Sequence, residues 1–133
     1  MTRINVVPVI ELCNKHLFAE WREMPRLVSN LDTTLNRKSS NFSWDEISPE
    51  YLLGKGHVKF FFDKFKWLHN RHIEITTELI KRGYELKKTD SSIFKTVDGK
   101  FYGDYNVTLE ALEINRNRIN IRMPKKPTWK KKT

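Results

Sequence analysis

Between residues 58 and 79 the apolar side chains Val58, Phe61, Phe62, Phe65, Leu68, Ile75 and Leu79 recur at spacings built from threes and fours. That period follows the helical turn of about 3.6 residues, so it predicts a long helix with one buried stripe. Rings at this spacing are read as packing groups rather than as a base-stacking surface. The helix is expected over 57–82 and is ended by Gly83. A first helix is expected over 10–36, because Leu12, His16, Ala19 or Glu20, Glu23 and Leu27 keep helical spacing. Pro25 lacks the amide hydrogen that the Trp21 carbonyl would accept, so a bend is expected there. A third helix is expected over 107–121, stopping before Pro124. Ser48, Pro49 and Glu50 read as an N-cap followed by proline at the first helical position. They predict a short helical turn through Leu53, interrupted by Gly54 and Gly56. Residues 37–47 and 84–105 are expected to be irregular, with a turn at Asp98 and Gly99. At 133 residues the chain is read as one all-α domain over 1–133: three main helices, long irregular connections and a basic tail over 124–133.

Charge narrows the partner. The net charge is +9, and after Glu113 there are eight Lys or Arg and no acidic residue. With 12% aromatics, this favours a polyanion, nucleic acid ahead of an anionic membrane. Cys13 is the single cysteine, so no intramolecular disulfide forms. It is expected to pack as a small apolar group, consistent with a reducing cytoplasm. No apolar run approaches the roughly 18 residues of a membrane span, and no signal peptide is recognisable. A cytoplasmic protein is therefore expected. Asn41-Phe42-Ser43 and Asn106-Val107-Thr108 fit the glycosylation pattern, which carries no weight without secretion. His69 and His72 share a helix face, but no Cys or carboxylate cluster joins them with ligand spacing. They are read as solvated surface histidines, and no metal site is expected.

The opening Met1-Thr2-Arg3-Ile4-Asn5 is chemically suggestive. Initiator methionine is removed when the next side chain is small, and Thr2 is small enough. Thr2 would then carry a free α-amine, with a reference pKa of about 7.7–8.0 against about 10.4 for lysine. A larger share of such an amine is neutral and nucleophilic near neutrality, and a cation such as Arg3 lowers its pKa further. A second cluster lies in Trp21-Arg22-Glu23-Met24-Pro25-Arg26. Arg22 and Arg26 are four apart, Glu23 and Arg26 three apart, and His16 precedes Glu23 by two turns on nearly the same side. One carboxylate thus sits on a cationic surface at a proline bend.

These pieces, in order, resemble the phage pyrimidine-dimer DNA glycosylase/AP-lyase family. The resemblance rests on the opening five residues, His16-Leu17, Arg22-Glu23 and Pro25-Arg26. It continues through Ile47-Ser48-Pro49, Leu53-Gly54, Gly56-His57-Val58 and Phe60-Phe61-Phe62-Asp63-Lys64. Lys81-Arg82-Gly83, Gly103-Asp104-Tyr105 and Pro127-Thr128-Trp129 complete it. The ordered set, including the distance from Thr2 to Glu23, is more specific than any single piece.

The resemblance implies a compact all-α domain acting on ultraviolet-induced cyclobutane pyrimidine dimers. It implies that the Thr2 amine attacks sugar C1′, that a protonated imine forms, and that β-elimination cuts the strand. Thr2 and Glu23 are the implied catalytic residues. A carboxylate stabilises oxocarbenium character as the base departs and can help move protons. Arg3, Lys15, His16, Arg22, Arg26, Arg118, Arg122 and Trp129 are the implied DNA-binding set. His57 has a supporting role only. The implied partner is double-stranded DNA carrying pyrimidine dimers or abasic sites, bound by a monomer without a cofactor, a metal or an obligate protein partner. Three departures stand out. Arg122 replaces a family lysine, Lys15 replaces a polar amide, and the tail after Trp129 holds lysines in place of aromatics. A broader lesion range is compatible with these changes.

Two other readings remain open from the residues. A non-catalytic basic nucleic-acid-binding domain explains the charge and the tail equally well. A hydrolase using the Thr2 hydroxyl would normally need a β-rich scaffold, and strand patterns are lacking.

Overall fold

A computed structural model describes residues 3–36 and 43–130 of the chain. Among them there are helices and no strands, so the fold is all-α. The α-helices are α1 (Asn14–Glu23), α2 (Arg26–Leu35), α3 (His57–Phe60), α4 (Phe65–Lys81) and α5 (Leu109–Ile121). No helix among these residues is long and apolar enough to cross a membrane.

The predicted stripe forms the core. Phe61, Phe62, Phe65, Leu68, Ile75 and Leu79 are buried, and Val58 is half-buried against them. Phe60 and Phe61 meet edge to face at 5.0 Å between ring centroids, and Phe61 stacks on Trp67 at 5.6 Å. Offset and edge contacts of this kind add to the area term of burial. Cys13 is buried as a small apolar group, and Gly83, at φ 107, follows the end of α4.

The helix boundaries differ from the sequence reading in five places. The expected first helix is two, α1 and α2, divided at Met24 and Pro25. Its first residues form a 3-10 turn at Val9–Glu11 followed by extended backbone. The Asn14 amide donates to the Thr128 carbonyl at 2.7 Å, and Arg82 Nη2 donates to the Val9 and Ile10 carbonyls. The groups an α-helix would pair internally are engaged elsewhere. The helix expected over 57–82 breaks at 61–64. The Asp63 carbonyl accepts from Gly103, and the Gly103 carbonyl accepts from the Lys66 and Trp67 amides, so a distant segment caps α4.

The helical turn expected through Leu53 does not form. The Ser48 hydroxyl closes a tight local turn with the Glu50 amide and carbonyl. Of the expected irregular stretch 37–47, residues 37–42 lie outside the described residues, including Asn41 of the glycosylation pattern. The remainder holds a 3-10 turn, Trp44–Glu46, closed by a Ser43–Glu46 capping box. Further 3-10 turns occupy Ser92–Lys95 and Gly99–Phe101, the second capped by Asp98. The third helix begins at Leu109, where the Thr108 hydroxyl accepts from the Ala111 amide at 3.0 Å.

His69 and His72 are buried, against the surface placement expected of them. Their Nδ1 atoms engage the Tyr102 hydroxyl and the Ser91 hydroxyl respectively. The His72 ring also stacks on Trp21.

Candidate active site

The first described residues carry no helix or strand and are bonded to Glu20 of α1 and Asn115 of α5. Ile4, Val6 and Val7 are buried, yet no neighbouring strand pairs their backbone groups. Side chains do so instead. The Ile4 amide donates to His57 Nε2 at 2.8 Å, and the Tyr51 hydroxyl donates to the Ile4 carbonyl at 3.0 Å. Asn115 Oδ1 accepts from the Val6 and Val7 amides at 2.7 and 3.1 Å. Arg71 Nη1 donates to the Val7 carbonyl at 2.6 Å. Arg71 also forms a buried ion pair with Glu20, Nε to Oε2 at 2.7 Å. Asn5 donates to the same carboxylate at 2.9 Å and accepts from Asn115 at 2.8 Å. Buried polar groups are tolerated when paired in this way.

Above this network lies a cavity of about 370 Å3, within the usual span of ligand sites, about 300–1,000 Å3. It is lined by Arg3 and Asn5 from the opening segment, and by His16, Ala19, Glu20 and Glu23 from α1. Arg118, Ile119 and Arg122 line it from α5 and its C-terminal edge. Helical spacing explains the arrangement: 16, 19, 20 and 23 share one face of α1, and 118 and 122 share one face of the other helix.

Electrostatically the cavity is cationic with one unspent carboxylate. Among the described residues, four buried side-chain atoms lack a hydrogen-bond partner: Arg3 Nη1, His16 Nδ1, Glu23 Oε2 and Arg118 Nε. All four belong to residues lining this cavity. An unpaired buried donor or acceptor costs about 1–3 kcal/mol, so such groups collect where a ligand completes them. Burial lowers the pKa of Arg3, and the guanidinium groups of Arg118 and Arg122 lower it further. His16 Nε2 donates to the Arg122 carbonyl at 3.1 Å, which fixes the ring across the cavity rim. Glu23 Oε1 lies 3.9 Å from Arg26 Nη1, while Oε2 is the buried, unpaired oxygen.

Of the residues singled out from the sequence, Arg3, His16, Glu23, Arg118 and Arg122 meet in the cavity. Lys15, Arg22 and Arg26 are exposed on α1 and α2 and do not line it. Trp129 is 42% exposed, and its indole N–H donates to the Glu11 carbonyl at 3.1 Å, tying the tail to the first 3-10 turn. Thr2 lies outside the described residues. The sequence reading missed the supporting network of Asn5, Glu20, Tyr51, Arg71 and Asn115. A signal for part of it was present. Glu20 stands in line with Leu17 and Met24, and Arg71 stands between Leu68 and Ile75, so an acid and a base both occupy core-facing positions.

An all-α basic protein with a carboxylate and several guanidinium groups around one cleft fits an enzyme acting on a polyanion. The family model described as pyrimidine dimer DNA glycosylase matches residues 1–92. The chain belongs to that family of DNA repair glycosylases.

Proposed function

We propose that this protein is a glycosylase with AP-lyase activity on ultraviolet-induced cyclobutane pyrimidine dimers, and that the Thr2 α-amine is its nucleophile. The observation that carries the reading is the shared cavity: Arg3, adjacent to Thr2 in the chain, lines it together with the unpaired carboxylate oxygen of Glu23. The amine lone pair attacks C1′, and the glycosidic bond breaks with its electrons and a proton going to the departing base. Glu23 stabilises the cationic character at C1′. The C1′–O4′ bond then opens, O4′ takes a proton, and a protonated imine joins Thr2 to the sugar. Loss of a C2′ proton expels the 3′ phosphate, and water hydrolyses the imine. Glu23 is positioned to relay these protons.

Arg3, Arg118 and Arg122 supply paired donors for phosphate oxygens at the site. Lys15, Arg22 and Arg26 extend the cationic surface along the strand, His16 contacts it from the cavity lining, and Trp129, tied to the first 3-10 turn by its bond to Glu11, adds an aromatic contact from the tail. A monomer acting on intracellular DNA without a cofactor satisfies this chemistry. The test is borohydride trapping on irradiated and undamaged duplexes in EDTA, with the N-terminus checked by mass spectrometry. A covalent protein–DNA species on irradiated DNA alone is expected. Correctly processed protein that binds irradiated DNA but forms no such species would leave only the non-catalytic binding domain.

A further inference from the structure

We propose that His57 is a positioning residue for the nucleophile, holding the opening segment in place as a neutral imidazole that accepts from the Ile4 amide. This inference rests on the reading of the Thr2 amine as nucleophile. The His57 ring has both nitrogens engaged. Its Nδ1 faces the Leu52 carbonyl at 2.8 Å, and a carbonyl can only accept, so Nδ1 carries the hydrogen. Its Nε2 faces the Ile4 N–H at 2.8 Å and must accept. One tautomer of the neutral ring satisfies both contacts. A protonated ring carries hydrogen on both nitrogens and would set a donor against the Ile4 donor.

The location gives this contact its importance. His57 binds the first backbone amide of the four-residue stretch 4–7 that is clamped by buried side chains, and among the described residues it is the clamp nearest the chain start. Only Thr2 and Arg3 separate the fixed Ile4 nitrogen from the amine, a reach of roughly 7 Å at most. Misplacing a reacting atom by about 1 Å can cost about a hundredfold in rate. Tyr51 clamps the Ile4 carbonyl, which belongs to the Ile4–Asn5 peptide; the preceding Arg3–Ile4 peptide, the one nearer the amine, is held through its N–H by His57.

The groups facing His57 are consistent with a neutral ring. The Tyr51 and Phe61 rings meet it edge to face, each at 5.6 Å between centroids. Tyr51 is itself held in the neutral phenol form, chiefly by burial. Arg3 is the charged group acting on the imidazole. Burial lowers the His57 pKa below the ordinary histidine value; the Leu52 contact opposes this, and Arg3 adds to it.

The experiment follows the rate of reductive trapping on abasic-site duplex from mildly alkaline to acidic pH. In the wild type the logarithm of the rate falls with unit slope as the amine protonates, then steepens towards a slope of two as His57 titrates. His57→Phe keeps the ring packing and loses the acceptor. It should trap at least about tenfold more slowly where the wild-type ring is neutral, keep unit slope where the wild type steepens, and approach the wild-type rate once the wild-type ring is protonated. His57→Gln offers an amide oxygen to Ile4 and does not titrate. It should recover much of the rate lost in His57→Phe while keeping unit slope. Hydrogen exchange at the Ile4 amide of the wild type gives a second readout, since its protection should disappear on acidification before that of Val6 and Val7. Unit slope in the wild type, trapping by His57→Phe at the wild-type rate where the wild-type ring is neutral, or Ile4 protection indifferent to pH would each overturn the proposal. A wild-type protein that traps abasic DNA at no pH would instead overturn the parent reading of the amine, and this inference with it.

Discussion

Replacing Arg71 with methionine tests whether the floor of the cavity holds the site together. Arg71 is 4% exposed and Glu20 1% exposed. The guanidinium donates to Glu20 through Nε at 2.7 Å and Nη2 at 3.2 Å, and to the Val7 carbonyl through Nη1 at 2.6 Å. Without it, Asn5 is the remaining side chain bonded to the buried carboxylate, and the Val7 carbonyl loses its donor. Breaking a buried pair by removing one member costs about 3–5 kcal/mol, because the other charge stays desolvated. A domain of this size is stable by about 5–15 kcal/mol, so the loss should lower the melting temperature by about 10 °C or more. Urea unfolding and thermal melts of the full chain measure it. The double variant Glu20→Leu with Arg71→Met should recover part of the stability, since apolar residues of similar volume can replace a buried pair. A loss below about 1 kcal/mol in Arg71→Met would refute the claim that this pair is desolvated and mutually dependent.

Other expected outcomes bear on different parts of the molecule. Glu23→Gln should keep binding to irradiated DNA while strand cleavage falls by about a hundredfold or more; unchanged cleavage in a nicking assay would remove Glu23 from the mechanism. Gly103→Ala should cost at least about 2 kcal/mol in thermal unfolding, because the new Cβ would stand 2.3 Å from the Asp63 carbonyl oxygen, a backbone atom that cannot swing aside. Stability should fall on acidification from about pH 6.5 towards about 4. Burial holds His57, His69 and His72 below the ordinary histidine pKa, His72 at about 4. Across that window the unfolded chain therefore binds protons that the folded protein refuses. The Glu11 pKa is lowered by its hydrogen bond to Arg116, so its stabilising share is lost only at lower pH. Urea midpoints should track this decline, and His72→Phe should flatten it; a midpoint flat across the window would contradict the placement of the histidines.

The parts legible in the sequence are those set by neighbours along the chain. The stripe from Phe61 to Leu79, the stop at Gly83 and the interruption at Pro25 follow from helical period, backbone conformation and a missing amide hydrogen. The placing of His16 and Glu23 on one face of α1, and of Arg118 and Arg122 on one face of α5, follows from the same period. The period accounts for the shared faces alone; that these residues belong to a site is implied by the family resemblance. Lys15, Arg22, Arg26 and Trp129 lie apart from its lining, because a shared motif says nothing about which way a surface side chain is turned.

Tertiary structure decided what depends on residues far apart in the chain. The break at 61–64 carries no glycine or proline and keeps the apolar period, so nothing local marks it. It exists because Gly103, some forty residues away, pairs with Asp63 and caps the start of α4. Residues 10–13 carry a helical pattern and do not form an α-helix, since Arg82 and Thr128 take the groups that would close it. His57 as an acceptor for Ile4, and Arg71 as the partner of Glu20, join positions more than fifty residues apart. Local spacing determines which side chains share a helix face, whereas burial forces each stranded polar group to find a partner wherever the fold brings one within hydrogen-bond reach.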